Sequence, residues 1–428
     1  MRILLLSWEY PPLVYGGLGR HVHALAEAQA AAGHQVTVLT QTVVDAVPDE
    51  VVNGVRVVRV PPDPPFLDPF GAGGVDELLA WMLGLNHSLA RAGLRLADEV
   101  RPRVVHAHDW MTTHAATTLK DALGLPMVAT VHATEAGRHQ GWLPGPISRS
   151  IHTVEWWLTF EARRVITCSE HMRWEVTRLF ELPADKVDVL PNGIDVDHWS
   201  VPAAARTAAR TRYAGDGPLV VFAGRLEWEK GVHTLIEAMP RLRRRHRGLR
   251  LVVAGQGSKA AELAQLARRK RVAGSVTFTG FLDGGQVAGL LAAADVAVVP
   301  SRYEPFGLAA LEAAAAGAPM VAGDTGGLRE FVRPGVTGLL FEPGDAAGLA
   351  DAVSTLLRDQ VLVRRVVRAA REALRRDHTW ASVAERTVAV YERAEREERA
   401  LQAGFAARAE RPLRVVVRDG NLLTGDPG

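Results

Sequence analysis

A chain of 428 residues, 47% of them apolar, is long enough for two domains that each fill a core. Its 50 basic and 48 acidic residues leave a formal net charge of +2, which creates no overall field for nucleic acid. The single cysteine, Cys168, excludes an internal disulfide and a thiolate metal site and fits a reducing, cytoplasmic setting, and no apolar run approaches the roughly 20 residues of a spanning helix.

Residues 2–7 form a continuous apolar run, expected for a strand of a parallel sheet covered on both faces. A loop ending Tyr15-Gly16-Gly17-Leu18-Gly19 follows, then a helical pattern to about Ala32 with Gly33 as its stop, then a strand over 35–40. Strand, glycine-rich loop, helix and strand open a Rossmann unit, and backbone N–H groups in such a loop can cradle a diphosphate. Val51 to Val60 reads as a hairpin around Asn53-Gly54, followed by a Pro-rich loop to about Phe70 and a long helix to Glu99. The strand over 103–110 ends in His106, His108 and Asp109. That H-x-H-D pattern sets nitrogen and oxygen donors side by side, but no matching distal cluster appears, so no metal is expected and His106 reads as core. Pro126 to His132 is another buried strand that delivers His132, Thr134 and Glu135 to the edge where open α/β sheets bind ligands. Strands over 164–169 and 187–195 complete this half. From Asp197 to about Pro218 periodicity is lost, as in a linker.

The second half begins with a strand over 218–224 and a loop carrying Arg225 and Lys230, before a helix that Pro240 should kink or end. Two cations beside a helix start make an anion site. Leu249 to Gly257 is a strand with Gly-x-Gly and no further glycine, too little to imply a dinucleotide cofactor. A strand over 276–280 leads to Phe281. Ala294 to Pro300 reads as a buried strand, and Ser301-Arg-Tyr-Glu-Pro-Phe-Gly-Leu-Ala-Ala-Leu-Glu312 runs from it into an Ala-rich helix that stops at Gly317. Pro305 biases Glu304 toward an extended backbone, and Gly307 admits a ligand close to the free N–H groups of the helix start. Glu312 follows about one and a half turns later, so both carboxylates can address one extended ligand. Thr325 to Leu328 supplies another backbone-rich loop, and helices fill 348–399. Arginine runs at 241–247, 268–271 and 364–376 read as solvated helix faces, with weak peripheral contact to an anionic membrane as the sharper alternative.

Glu304 and Glu312, with Arg225, Lys230 and the Gly16-Gly17 loop, resemble the Glu-x7-Glu signature of retaining glycosyltransferases of the GT-B fold. The likeness runs from Met1 to about residue 398 and is closest to actinobacterial α-1,4-glucosyltransferases of the glycogen-synthase-like branch. It implies two Rossmann-like domains facing across a cleft, over 1–196 and 218–376, joined by the linker 197–217. A helix over 377–401 would cross back to the first domain, leaving a tail over 402–428, with a strand-like Leu413 to Val417, that is expected to be mobile. The resemblance implies that the donor nucleotide lies against Phe281, Phe306, Gly307 and Leu308, with Glu312 on its ribose. Glu304 would hold the hydroxyls of the transferred sugar, Arg225 and Lys230 the departing diphosphate, and Gly16 and Gly17 would face that diphosphate. His132 would stabilise the cationic sugar through its backbone carbonyl, and Asp109, Glu135 and Arg138 would meet the acceptor. The implied reaction moves glucose from ADP- or UDP-glucose to the non-reducing end of an α-1,4-glucan, with no metal or other cofactor. Val14 stands where many bacterial glycogen synthases carry a lysine, which leaves the donor nucleotide open. A transferase with a small acceptor, such as one making maltose 1-phosphate, a lipid hexosyl- or mannosyltransferase, a nucleotide-sugar epimerase of the same fold and a non-catalytic binder are the rival readings.

Overall fold

The computed structural model describes residues 1–63 and 75–409. Its first sheet is built from β1 (Arg2–Leu6), β2 (Gln35–Gln41), β3 (Asp49–Val52), β4 (Val55–Val60), β5 (Val104–His108), β6 (Met127–Val131), β7 (Arg164–Thr167) and β8 (Val187–Val189). The order is β3-β4-β2-β1-β5-β6-β7-β8, parallel except for the β3–β4 hairpin, which turns at Asn53-Gly54 with φ of 49° and 81°. Helices cover both faces, and so β1 is apolar throughout its inner length: Ile3 to Leu6 are at most 1% exposed.

A second sheet contains β9 (Leu219–Ala223), β10 (Arg250–Ala254), β11 (Val276–Gly280), β12 (Val296–Val299), β13 (Met320–Gly323) and β14 (Leu339–Phe341), all parallel, in the order β11-β10-β9-β12-β13-β14. Each sheet reverses its winding once, between β1 and β5 and between β9 and β12. Ligands of open α/β sheets bind outside the carboxyl ends of the strands at such a reversal. The loops leaving β1 and β5 carry Gly16, Gly17 and Asp109, and those leaving β9 and β12 carry Arg225, Lys230 and Glu304.

Two expectations are corrected and a third is narrowed. The stretch read as a linker contains an α-helix, Ala203–Tyr213, docked on the Gly284–Ala293 helix of the second domain. None of its residues is buried, so it shows no apolar period; alanine propensity and an Arg210–Asp295 ion pair at 2.6 Å hold it. Pro240, expected to kink or end the helix, does not end it: Val232–Arg245 runs on through it. Leu235, Ile236, Met239 and Leu242 are all fully buried on either side of it, and their packing outweighs the roughly 3 kcal/mol that an interior proline costs. The last helix, Trp380–Ala409, takes in the first residues of the expected tail, while Leu413 to Val417 lie outside the described residues.

That last helix returns to the first domain, as anticipated. Val383, Ala384, Val388, Tyr391 and Ala394 are buried there, and ion pairs Arg103–Glu395, Arg163–Glu398 (2.7 Å) and Arg393–Asp188 (2.7 Å) flank the seam. Tyr391, fully buried, shares its hydroxyl with His106 Nδ1 (2.7 Å) and Gln29 Nε2 (3.2 Å). Among the described residues no helix is long and apolar enough to cross a membrane. Tyr391→Ala should cost about 3–5 kcal/mol of stability and Tyr391→Phe, which strips His106 of a partner, about 1–3 kcal/mol, as measured by urea denaturation.

Candidate active site

The second domain brings its site together by close backbone approach. Gly231 (φ 68°) ends the turn Trp228–Lys230 and starts the next helix, and a Cβ there would land on the Pro300 carbonyl oxygen. Only glycine lets the loop after β9 press so closely on the end of β12. Lys230 Nζ consequently reaches Glu304 Oε2 at 2.8 Å, and Ser301 Oγ donates to the same oxygen at 3.0 Å. Glu304 is 9% exposed, so this pair is largely shielded from water. Arg225 is exposed and pairs with Glu229 at 3.1 Å. Gly307 (φ 110°) begins the helix Leu308–Ala316 with no side-chain cap, leaving its first N–H groups free for an anion. The Thr325–Gly327 loop closes on Glu304 from the other side, with Gly327 N–H donating to the Glu304 carbonyl at 2.9 Å. Phe306 is buried, whereas Phe281 at the end of β11 is 72% exposed at the rim.

The first domain answers with its own reversal point. Glu9, unremarked in the sequence, is buried and accepts N–H bonds from Tyr15 (2.8 Å) and Gly16 (3.1 Å), which shapes the glycine loop. Gly17 faces the other domain: a Cβ on it would stand 3.0 Å from Leu308 Cδ1. Arg20, also missed, crosses the cleft to pair with Glu312, whose carboxyl burial raises and Arg20 lowers in pKa.

Asp109, Glu135 and Arg138, expected at the acceptor, are each engaged by neighbours within the first domain. Asp109 is 7% exposed and its Oδ1 accepts the His132 backbone N–H at 2.7 Å. Glu135, equally buried, accepts from Ser148 Oγ at 2.6 Å, and it starts a short helix, Glu135–Arg138. Arg138, half-buried, is the counter-charge of this group, facing Asp109, Glu155 and Glu135. Burial pushes Asp109 up to about 6 and Glu155 up to about 8, with Arg138 opposing both.

His132 sits just past β6, half-exposed to the crevice. Its Nε2 lies 3.1 Å from His108 Nδ1, and its ring centroid 4.7 Å from that of His21. Burial lowers the pKa of His21, His106, His108 and His132, the last to about 3, so these rings are neutral at physiological pH. His106 is the core residue expected, held by Tyr391 and by Thr130 Oγ1 at 2.7 Å. The missing distal partners of the H-x-H-D pattern therefore exist, but they gather on His108 and exclude His106 and Asp109.

The two halves are stitched directly. Tyr303 OH donates to Glu175 Oε1 (2.9 Å), Ser169 Oγ donates to the Pro305 carbonyl (2.6 Å), and the N–H groups of Glu170 and His171 donate to Glu330 at 3.2 and 3.0 Å. Tyr303 stands inside the quoted motif, yet nothing local announces its partner 128 residues away.

Three outcomes are expected. Gly231→Ala must part the β9 and β12 loops and should abolish turnover while circular dichroism stays native. As pH falls through about 6, Asp109 takes up a proton and loosens its hold on the His132 N–H, so kcat/KM should fall with it; His132 stays neutral down to about 3 and adds nothing to that limb. Asp109→Asn should lower kcat/KM at neutral pH and flatten the limb.

A family model for glycosyl transferases group 1 matches residues 206–373, and one for glycosyltransferase family 4 matches residues 15–198. Glycogen synthase of Mycobacterium tuberculosis is 48% identical over 411 residues, covering 93% of this chain and 96% of that protein. Alpha-maltose-1-phosphate synthase of the same species is 32% identical over 417 residues, covering 91% of this chain and 99% of that protein. Among solved structures, sucrose-phosphate synthase from Thermosynechococcus elongatus superposes with a TM-score of 0.77 at 26% identity, covering 91% of this chain and 98% of that one. Both halves carrying the two domain types of one enzyme class, and a close relative spanning nearly the whole length, establish that this chain belongs to the group 1 glycosyltransferases of GT-B fold, in the glycogen-synthase-like branch.

Proposed function

We propose that this hexosyltransferase moves glucose from a nucleotide-glucose to the non-reducing end of an α-1,4-glucan, retaining the α configuration. The observation that carries this reading is the near full-length similarity to a glycogen synthase, joined to an intact Lys230–Glu304 pair at the sheet reversal. The donor diphosphate would meet Lys230, Arg225 and the uncapped N–H groups at Leu308. Charge grows on that diphosphate as its bond to the sugar breaks, and fixed positive groups then stabilise the transition state more than the ground state. Arg225 and Lys230 fill the part that a divalent cation plays elsewhere, so no metal is required. Glu304 would accept hydrogen bonds from hydroxyls of the transferred sugar, and Glu312 would take the ribose, with Arg20 giving way or sharing.

His132 would face the sugar as it becomes cationic. Its imidazole is neutral through burial and adds no opposing charge, and Asp109 fixes the peptide that precedes it. The residue orients a backbone carbonyl toward developing positive charge.

The test is nucleotide release from ADP-glucose and from UDP-glucose, each with glycogen, maltose, glucose 1-phosphate or no acceptor. Release that requires glycogen or maltose and lengthens the chain is expected. Release only with glucose 1-phosphate would move the protein to disaccharide-phosphate synthesis, the reading that the maltose-1-phosphate synthase likeness keeps alive. Lys230→Ala should lower kcat by about 10²-fold or more with a smaller change in KM.

A further inference from the structure

His21, His108 and His132 stand on three separate elements: the helix after β1, the end of β5 and the loop after β6. Each offers one ring nitrogen, and these nitrogens all lie within 4.8 Å of one another. Two features mark them as a built cluster. Asn192 Oδ1 lies 2.9 Å from His21 Nδ1, which fixes that ring and leaves Nε2 for another partner. His108 is fully buried; among the described residues its Nδ1 meets only His132 Nε2, and its Nε2 has no hydrogen-bond partner. Coordination through Nδ1, the nitrogen that faces His132, places the ring proton on that buried Nε2 and fixes the tautomer.

The donor chemistry selects the ligand. The 3.1 Å between His108 Nδ1 and His132 Nε2 is close to the edge of about 3.3 Å that joins two nitrogens of a tetrahedral zinc site. Three neutral imidazoles without thiolate or carboxylate suit a borderline transition metal and not Mg2+ or Ca2+. His106, although its ring is 4.1 Å from that of His108, has both nitrogens engaged, and Asp109 Oδ1 is taken by the His132 N–H. Of the three, only His132 is partly exposed, so a remaining coordination position would be reached past it.

We propose that His21, His108 and His132 bind one divalent transition-metal ion of the Zn2+ type, and that binding inhibits the enzyme. The inhibitory half rests on the proposed glucosyl transfer. A doubly charged ion at His132 would stand beside the sugar as it becomes cationic, raising the barrier that the preorganised site lowers.

The experiment titrates Co2+, whose visible absorption reports nitrogen coordination of low symmetry, into the chelator-stripped full chain. One Co2+ per chain is expected, displaced by Zn2+. Affinity should weaken by more than about tenfold in His21→Gln and in His108→Gln and stay unchanged in His87→Gln, an exposed histidine of the Val75–Val100 helix. Circular dichroism and thermal melting check that each variant folds; if His108→Gln does not, His21→Gln carries the comparison. No Co2+ spectrum at millimolar metal, or a spectrum that persists in a folded His21→Gln or His108→Gln chain, overturns the site. Nucleotide release should fall with the same midpoint as the spectral titration. A spectrum without that fall would retain the site and overturn the inhibition, and the spectrum itself does not depend on which sugar acceptor is correct.

Discussion

Two parallel strands, β9 and β12, end so close together that only a glycine at position 231 fits against the Pro300 carbonyl. The loop after one strand carries the cation and the loop after the other carries the carboxylate, so this approach lets Lys230 and Glu304 pair at 2.8 Å in a site largely closed to water. A desolvated pair of this kind is held by geometry more than by its own energy, because desolvation offsets much of the Coulomb attraction. Its worth lies in presenting both charges at fixed positions. Ser301 and the Gly326-Gly327 backbone complete the support around Glu304.

The domains depend on a few bonds across the cleft. Arg20 to Glu312 and Tyr303 to Glu175 each join a group on one domain to a group on the other, and Ser169 reaches the Pro305 carbonyl inside the motif itself. The loop that presents Glu304 is therefore fixed by the opposite domain as well as by its own sheet. Any motion that opens the cleft must break these bonds. The returning C-terminal helix adds a second link, placing Trp380 against His21 (5.4 Å between ring centroids) and Tyr391 under His106.

Burial sets the electrostatics of the first domain. Four histidines are neutral because desolvation penalises their charged forms, while Arg138 offsets the buried acids Asp109 and Glu155. The acids also bond within the domain: Asp109 holds the His132 peptide and Glu135 bonds Ser148.

The sequence by itself determined the parallel sheets, the order of strand, loop and helix, and the placement of Lys230, Arg225, Glu304 and His132 just beyond strand ends. Each of these is local: an apolar run long enough to be buried on both faces, a glycine or proline at its end, and a charged residue within a few positions. What only tertiary structure decided depends on strand order and on burial. His21, His108 and His132 meet because β1, β5 and β6 are neighbours in the sheet, an adjacency that no periodicity records. Glu9, Arg20, Tyr303 and Glu175 act on partners across a loop or across the cleft, and the Ala203–Tyr213 helix has no buried face to print a pattern. Residue type and spacing fix what a side chain can do, and packing fixes which neighbour it does it to.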